Sequence, residues 1–289
     1  MKTRAALATL PLAILLALPA GAEVSDRLLI HSDDADGSQV FTDASPRRHP
    51  ITPYGDVAHS TDESAPGLGM SAIFFDGDGD FLKLEPDPDW SLGGDFEIEL
   101  WAWFASFTRE LVLASGSRSF WLNGHGWSLV AWSSAVAFGY QQPSPNRWDL
   151  DLYGSYPFQL RTWYHLKVAR QNGFIRILVN GQEVPLRDGT EAGSPLVGTS
   201  FLYPATIRSD FPLYVGACTG EGSGLVHKGF LDEIRIAHGT TYTEVSLTGC
   251  DSAAAEDSDN DGVIDPWDDC PDTPPDSWVD RHGCPPGCP

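Results

Sequence analysis

The chain has 289 residues, with 40 acidic side chains against 18 basic ones and a formal charge of −22. Such acidity speaks against nucleic acid or an anionic membrane surface as a partner, and it suits calcium or a solvated extracellular surface. The length is enough for one large all-β domain with an appendage, or for two modest domains.

Lys2 and Arg4 precede an apolar run from Ala5 to Leu18, followed by Pro19-Ala20-Gly21-Ala22. A charged start, a short apolar stretch and small residues at the end make a secretory signal peptide over residues 1–22. The run is too short for an anchor and no second one follows, so no membrane insertion is expected. No Cys follows the apolar run, which argues against lipoprotein processing. The expected location is secreted, periplasmic or cell-surface in a bacterium. Loss of residues 1–22 removes two bases and no acids and takes the charge to −24.

Arg27 to His31 reads as a short strand, and Ser32 to Pro66 as a polar segment. Ser71–Phe75 and Phe81–Leu84 read as the two arms of a hairpin around Asp76-Gly-Asp-Gly-Asp80. From Asp95 to Phe104 the chain alternates at the strand period of two. Phe96, Ile98, Leu100, Ala102 and Phe104 share one face; Glu97, Glu99, Trp101 and Trp103 share the other. A run apolar on one side and half-aromatic on the other is expected to be a central strand.

Leu111–Leu113 continues the series, with Ser115–Arg118 as a loop. Trp127 to Tyr140 is long and apolar, and Val130, Trp132, Val136, Phe138 and Tyr140 are expected on one face. Gln141 to Asn146 is read as a loop. Trp163–Arg170 and Phe174–Val179 are strands joined by Gln171-Asn-Gly173, and Asn180-Gly181 turns into Gln182–Val184. Leu213–Ala217 and Gly229–Ile236 close the set. No window carries a helical period with caps. Many short strands with turn residues between them predict a β-sandwich or jelly roll.

The order of these segments carries a resemblance. Asp34 to Ser45, Ser71–Gly77 with Asp80-Phe81, Asp95–Trp101, Trp163-Tyr-His165, Asn180-Gly181 and Gly229–Arg235 follow one another as in a laminin-G-like domain. The stretch from about 27 to 245 resembles that domain of the concanavalin A-like lectin/glucanase superfamily. The resemblance implies a two-sheet antiparallel jelly roll over residues 23–250, with a concave sheet that in many relatives binds carbohydrate. It also implies a structural role for His165, and relatives of this kind sometimes hold a calcium ion near the position of Asp232. A salt bridge from Asp232 or Glu233 to Arg235 or another arginine accounts for those acids equally well.

Residues 251–289 hold eleven acids and one base. Asp257, Asp259, Asp261, Asp265 and Asp268 occupy positions 1, 3, 5, 9 and 12 of a calcium loop. Gly262 stands at position 6, and the Val263 carbonyl is the ligand at position 7. Alternating carboxylates let a tightly wound loop converge oxygens on one ion. Asp at position 12, Pro266 and the following Cys270-Pro271 depart from an EF-hand and resemble a thrombospondin type 3 repeat. Calcium is therefore the expected cofactor, and the small tail is expected to need metal and disulfide to fold. The cysteines are Cys218, Cys250, Cys270, Cys284 and Cys288. Export favours their oxidation, and spacing does not determine connectivity. The pairing taken forward is Cys218 with Cys250 and Cys270 with Cys284, leaving Cys288 free or paired between chains. Asp76, Asp78 and Asp80 also alternate, but Phe81 stands where a loop Gly is needed, so they are expected to be solvated turn acids.

No catalytic constellation is expected. Jelly-roll glycanases carry a third acid on the strand that bears their carboxylate pair. In Glu97-Ile-Glu99-Leu-Trp-Ala102 that place is taken by Ala102, so Glu97 and Glu99 are read as acids bonded across the sheet. The ten Trp residues are the remaining lead, because sugars stack their apolar faces on exposed rings. Trp121, Trp148 and Tyr153, placed in or beside loops, are the candidate ligand-binding residues. The expected function is non-catalytic recognition of a glycan or a surface protein. A glycoside hydrolase or lyase of the same superfamily, and a structural surface or matrix protein, are the alternatives.

Overall fold

The computed structural model describes residues 24–107, 111–115, 125–142, 147–217 and 226–239; of 111–115 and 147–148 only the backbone is described. The chain divides into two compact units, Met1–Tyr242 and Thr243–Pro289, and the described residues all belong to the first. Trp121, Cys218, Cys250, Cys270, Cys284, Cys288 and the calcium-loop residues Asp257, Asp259, Asp261, Val263, Asp265 and Asp268 lie outside the described residues, as does the segment 1–22.

The first strands are β1 (Ser25–Ile30), β2 (Thr52–Tyr54), β3 (Ala58–Ser60), β4 (Ala72–Phe75), β5 (Phe81–Leu84) and β6 (Phe96–Phe104). Next come β7 (Leu111–Ser115), β8 (Gly126–Trp132), β9 (Ala135–Gln142), β10 (Arg147–Ser155), β11 (Trp163–Gln171) and β12 (Phe174–Val179). The last are β13 (Gln182–Glu183), β14 (Leu186–Asp188), β15 (Leu196–Gly198), β16 (Phe201–Leu202), β17 (Leu213–Val215) and β18 (Gly229–His238). They form two antiparallel nine-stranded sheets. Sheet A runs β13-β12-β11-β6-β18-β4-β3, with β1 also paired to β18 and β16 to β12. Sheet B runs β15-β14-β10-β9-β8-β7-β17-β5-β2. The fold is a jelly-roll sandwich, and the one helical element among the described residues is a 3₁₀ turn at Pro88–Trp90.

β6 is the central strand its pattern predicts, held between β11 and β18. Phe96, Ile98, Leu100, Ala102 and Phe104 are fully buried and pack with Trp127, Leu129, Phe138, Leu150, Leu152 and Leu213 from sheet B in one core. Two indoles knit this core to the backbone. Trp127 Nε1 donates to the Trp90 carbonyl at 2.7 Å, and Trp90 Nε1 donates to that of Glu85 at 2.9 Å. Arg170 is buried at the end of β11 with its guanidinium 4.9 Å over the Phe96 ring. It donates to the carbonyls of Leu92, Gly94, Tyr203 and Ala205, so a single cation gathers two loops by satisfying four acceptors.

Three expectations about strand arrangement are corrected. Ser71–Phe75 and Phe81–Leu84 do not form a hairpin. β4 pairs with β18 and β3 in sheet A, whereas β5 pairs with β17 and β2 in sheet B, so the segment 76–80 crosses between the sheets. Both runs are apolar enough to serve a core from either side, and the Gly-rich turn made the local pairing look sufficient. Trp127 to Tyr140 is not one face but a hairpin, with Trp132 opposite Ala135. Its turn at Ser133-Ser134 changes the parity, so Val136, Phe138 and Tyr140 enter the core while Val130 and Trp132 lie on the opposite face. Finally, Trp148 and Tyr153 belong to β10 rather than to loops.

Candidate functional site

On β8, Trp127, Leu129 and Ala131 belong to the core, so Ser128, Val130 and Trp132 lie on the outer face of sheet B. By the same alternation β9 places Ala135, Ala137, Gly139 and Gln141 there, and β10 places Asp151 and Tyr153. The pairing turns these into transverse rows. Tyr214 of β17 pairs with Ser115, Ser115 with Ser128, Ser128 with Gly139, and Gly139 with Asp151. Four strand spacings of about 4.8 Å make this row roughly 19 Å long. Its middle positions are Ser, Ser and Gly, whereas its ends are large.

At one end Tyr214 meets Phe81 edge-on at 5.7 Å between centroids, and Phe81 stacks on Tyr54 at 4.5 Å. At the other, Tyr153 donates its hydroxyl to Asp151 Oδ2 at 2.7 Å and meets Trp132 edge-on at 5.7 Å. Small residue types between larger ends give the row a trough-like relief, and its floor at Ser128, Gly139 and Asp151 is buried. Ser128, Gln141 and Asp151 are buried although they face away from the core. Trp132 and Tyr153 are half-buried, which leaves ring area available for contact. The trough thus combines flat apolar walls with fixed polar groups.

Of the candidate ligand residues, Tyr153 is therefore brought to this face with Trp132; Trp148 enters it only as a backbone position, paired with Gln141. The sequence reading missed Ser128, Gln141 and Asp151. The alternation Trp148-Asp-Leu-Asp-Leu-Tyr153 is the signal in the sequence for a strand here.

The outer face of sheet A is different. Glu97 and Glu99 lie side by side, as expected, and are bonded across the sheet. Arg235 Nη1 reaches Glu97 Oε2 at 2.9 Å and Glu99 Oε1 at 2.7 Å, and its Nε reaches Asp26 Oδ1 at 2.7 Å. Lys167 Nζ lies 3.1 Å from Glu97 and 3.4 Å from Glu99. Burial raises the Glu99 carboxyl, but His165, Lys167 and Arg235 outweigh it and hold the group down to about 2. A carboxylate kept ionised in this way has no proton to give a leaving group. These are the cross-sheet ion pairs the sequence suggests, and Trp101, Trp103 and His165 occupy the same face.

Asp232 and Glu233 do not pair with Arg235. A bulge in β18, with Glu233 at φ +47°, turns them toward the N-terminal segment. Glu233 meets His31 Nδ1 at 2.8 Å, while Asp232 accepts from the backbone N–H of Glu233 at 2.9 Å and of Ala65 at 3.4 Å. His31, Asp33 and Glu233 together have the spacing of a cation site. Asp80 corrects the turn reading as well. It is fully buried, with Oδ1 accepting from Asp56 N–H at 2.8 Å and Oδ2 from Asp76 N–H at 2.9 Å. It ties the crossing segment to the loop after β2 instead of being solvated, and Asp56, Asp76 and Asp80 form a second carboxylate cluster.

These acids set the pH response. Burial pushes both Asp80 and Asp232 up to about 6, from 3.8. A raised carboxyl stabilises the fold below its unfolded value, and that stabilisation is lost as pH rises through about 6. Glu99 acts in the opposite sense, its contribution being present above 4.5 and lost as pH falls through about 2. The sandwich is therefore expected to be most stable near pH 4–5 in EDTA. Its melting temperature should fall between pH 5 and 7.5, and Asp232→Asn should flatten that fall. A melting temperature that rises over the same interval would contradict this assignment.

No protein-family model and no curated protein matches the sequence. Among solved structures, the chain is similar to domain 4 of the arabinanase AbnA from Geobacillus stearothermophilus, described in complex with arabinotriose. The identity is 19%, the TM-score 0.50, and the match covers 75% of this chain and 94% of that one. A receptor-binding domain of botulinum neurotoxin mosaic serotype C/D matches at 11% identity and TM-score 0.45, over 75% of this chain and 48% of that one. Mouse laminin α1 domains LG4-5 match at 17% identity and TM-score 0.38, over 61% and 45%. The chain thus spans less than half the length of the last two. The arabinanase likeness agrees with the jelly-roll fold. No helix among the described residues is long and apolar enough to cross a membrane.

Proposed function

We propose that this is an exported, non-catalytic recognition protein that holds a carbohydrate in the trough on the outer face of sheet B. The observation that carries this reading is the row from Tyr214 to Asp151, with a floor of small residues between aromatic ends and buried polar groups beside it. A saccharide offers what such a surface takes, namely apolar ring faces for Trp132 and Tyr153 and hydroxyls for Asp151, Gln141 and Ser128. The row's length suits an oligosaccharide rather than a single ring. The non-catalytic part of this reading is supported by Glu97 and Glu99, the acid pair of β6, being held in ion pairs on the other sheet.

In this reading residues 1–22 direct export. The segment 251–289 binds calcium through Asp257, Asp259, Asp261, Asp265, Asp268 and the Val263 carbonyl, braced by the Cys270–Cys284 disulfide. Cys218 pairs with Cys250, and Cys288 is available for a bond between chains. The ligand is a glycan, free or displayed on a surface.

The test is a glycan array probed with the full exported chain in calcium and again in EDTA, with arabino-oligosaccharides included. Specific binding that survives EDTA places recognition in the sandwich and leaves the tail a separate calcium module. Binding lost in EDTA ties recognition to the metal. A folded protein that binds nothing in either condition refutes the glycan reading and favours a protein partner.

A further inference from the structure

The other sheet carries a pocket that the trough does not account for. It has a volume of about 460 Å³ and is lined by Trp101, Trp163, His165, Asn180 and Gly181. That size falls within the ~300–1,000 Å³ usual for small-molecule sites. Its construction follows from register. Trp101 stands opposite His165, and Trp103 opposite Trp163, on the neighbouring strands β6 and β11. The Trp101 and His165 rings lie 5.2 Å apart, and Trp163 is set one pair further along, so the two indoles flank the imidazole. The turn after β12 closes one side. Asn180 at φ +53° and Gly181 at φ +80° give it the left-handed backbone of a tight hairpin.

The polar groups in this pocket are the Trp163 indole N–H, the Asn180 amide and the His165 imidazole. Trp163 Nε1 is buried and has no hydrogen-bond partner, a state that costs roughly 1–3 kcal/mol unless something accepts from it. Asn180 Oδ1 is already engaged, accepting from the His165 backbone N–H at 2.9 Å, which leaves the amide Nδ2 as its remaining group. His165 Nε2 lies 3.6 Å from Glu99 Oε2, so the ring is oriented by an acid that is itself neutralised by Lys167 and Arg235. The charged groups linked to His165 are Glu99 and Glu97 with Lys167 and Arg235, two acids against two bases.

We infer that this pocket is a second ligand site, on the opposite sheet from the trough, and that it takes one neutral sugar ring. Flat aromatic walls suit the apolar face of a pyranose or furanose. Donors without acceptors suit ring and hydroxyl oxygens. The paired charges nearby leave no surplus of either sign to attract a carboxylated, phosphorylated or cationic ligand. Two sites on opposite sheets make the sandwich bivalent, able to bridge two chains of a polysaccharide. The inference stands apart from the trough reading, since neither set of residues contributes to the other.

The indole N–H of Trp163 reports on its own site. In the full chain labelled with ¹⁵N-tryptophan, its resonance is identified by its loss in Trp163→Phe, which keeps an aromatic side chain. The probes are the methyl glycosides of glucose, galactose, mannose, N-acetylglucosamine and arabinose. The Trp163 resonance is expected to shift saturably with at least one of them. The affinity read from this resonance should fall about tenfold or more in Trp101→Ala and stay unchanged in Leu196→Ala, an exposed position on the other sheet. A Trp163 resonance unmoved by all five, or one whose shift persists undiminished in Trp101→Ala, overturns the proposal. Wild-type spectra in which no indole resonance moves with any of the five decide the first outcome, whether or not a variant folds.

Discussion

Replacing Arg235 by methionine is expected to destabilise the sandwich by about 3–5 kcal/mol. Its guanidinium is shared by Asp26, Glu97 and Glu99 at 2.7–2.9 Å, and Glu97 is fully buried. Removing the cation leaves a desolvated carboxylate with Lys167, at 3.1 Å, as the partner that remains in this cluster. Lys167 keeps the loss toward the lower end of the range. The location multiplies the effect, because Arg235 and Glu97 bridge β18 and β6, which together with β11 form the middle of sheet A. Adding Glu97→Gln to Arg235→Met should recover part of the stability by removing a buried charge that has lost one of its cations. Urea unfolding of the two variants measures this directly. A loss below about 1 kcal/mol for the single variant would show that the network behaves as an exposed surface pair.

Trp132→Ala should weaken glycan binding by about 10- to 100-fold, equivalent to roughly 1.4–2.8 kcal/mol. Trp132 closes the hairpin between β8 and β9 and meets Tyr153 edge-on, so its removal opens the aromatic end of the trough and frees the Tyr153 ring. Because the side chain is only half-buried and lies outside the core cluster, folding should be affected far less than binding. Tyr153→Phe is the finer probe. It keeps the ring and removes the hydroxyl that donates to Asp151, so it reads the polar part of the site alone. Titration of the tightest array glycan with wild type and both variants gives the result. Equal affinity in all three would remove this face from the account.

The fold was legible because β6 and β11 alternate in burial over most of their length, and every inward position on β6 is apolar. What alternation cannot reveal is which sheet a short strand joins. Ala72–Phe75 and Phe81–Leu84 are equally apolar, and a Gly-rich turn between them serves a hairpin or a crossing alike. The turn at Ser133-Ser134 carries no Gly, Asn or Pro, so the parity change that separates Trp132 from Tyr140 has only the weaker turn preference of Ser to mark it. The site was half legible for a related reason. Aromatic residues draw notice one at a time, but a trough is defined by what is small between them. Ser128 and Gly139 acquire meaning only once register sets them in one row with Asp151. Asp80 shows the same limit, since alternating acids in a turn look solvated until one of them is seen capping two backbone N–H groups across the sheets.

The most direct test of the central claim is a crystal structure of the full chain with the tightest array glycan. The account predicts saccharide density along the row from Tyr214 to Asp151, with one ring against Trp132 or Tyr153 and hydroxyls on Asp151 or Gln141. A trough left empty while the same glycan is bound elsewhere on the molecule would contradict it.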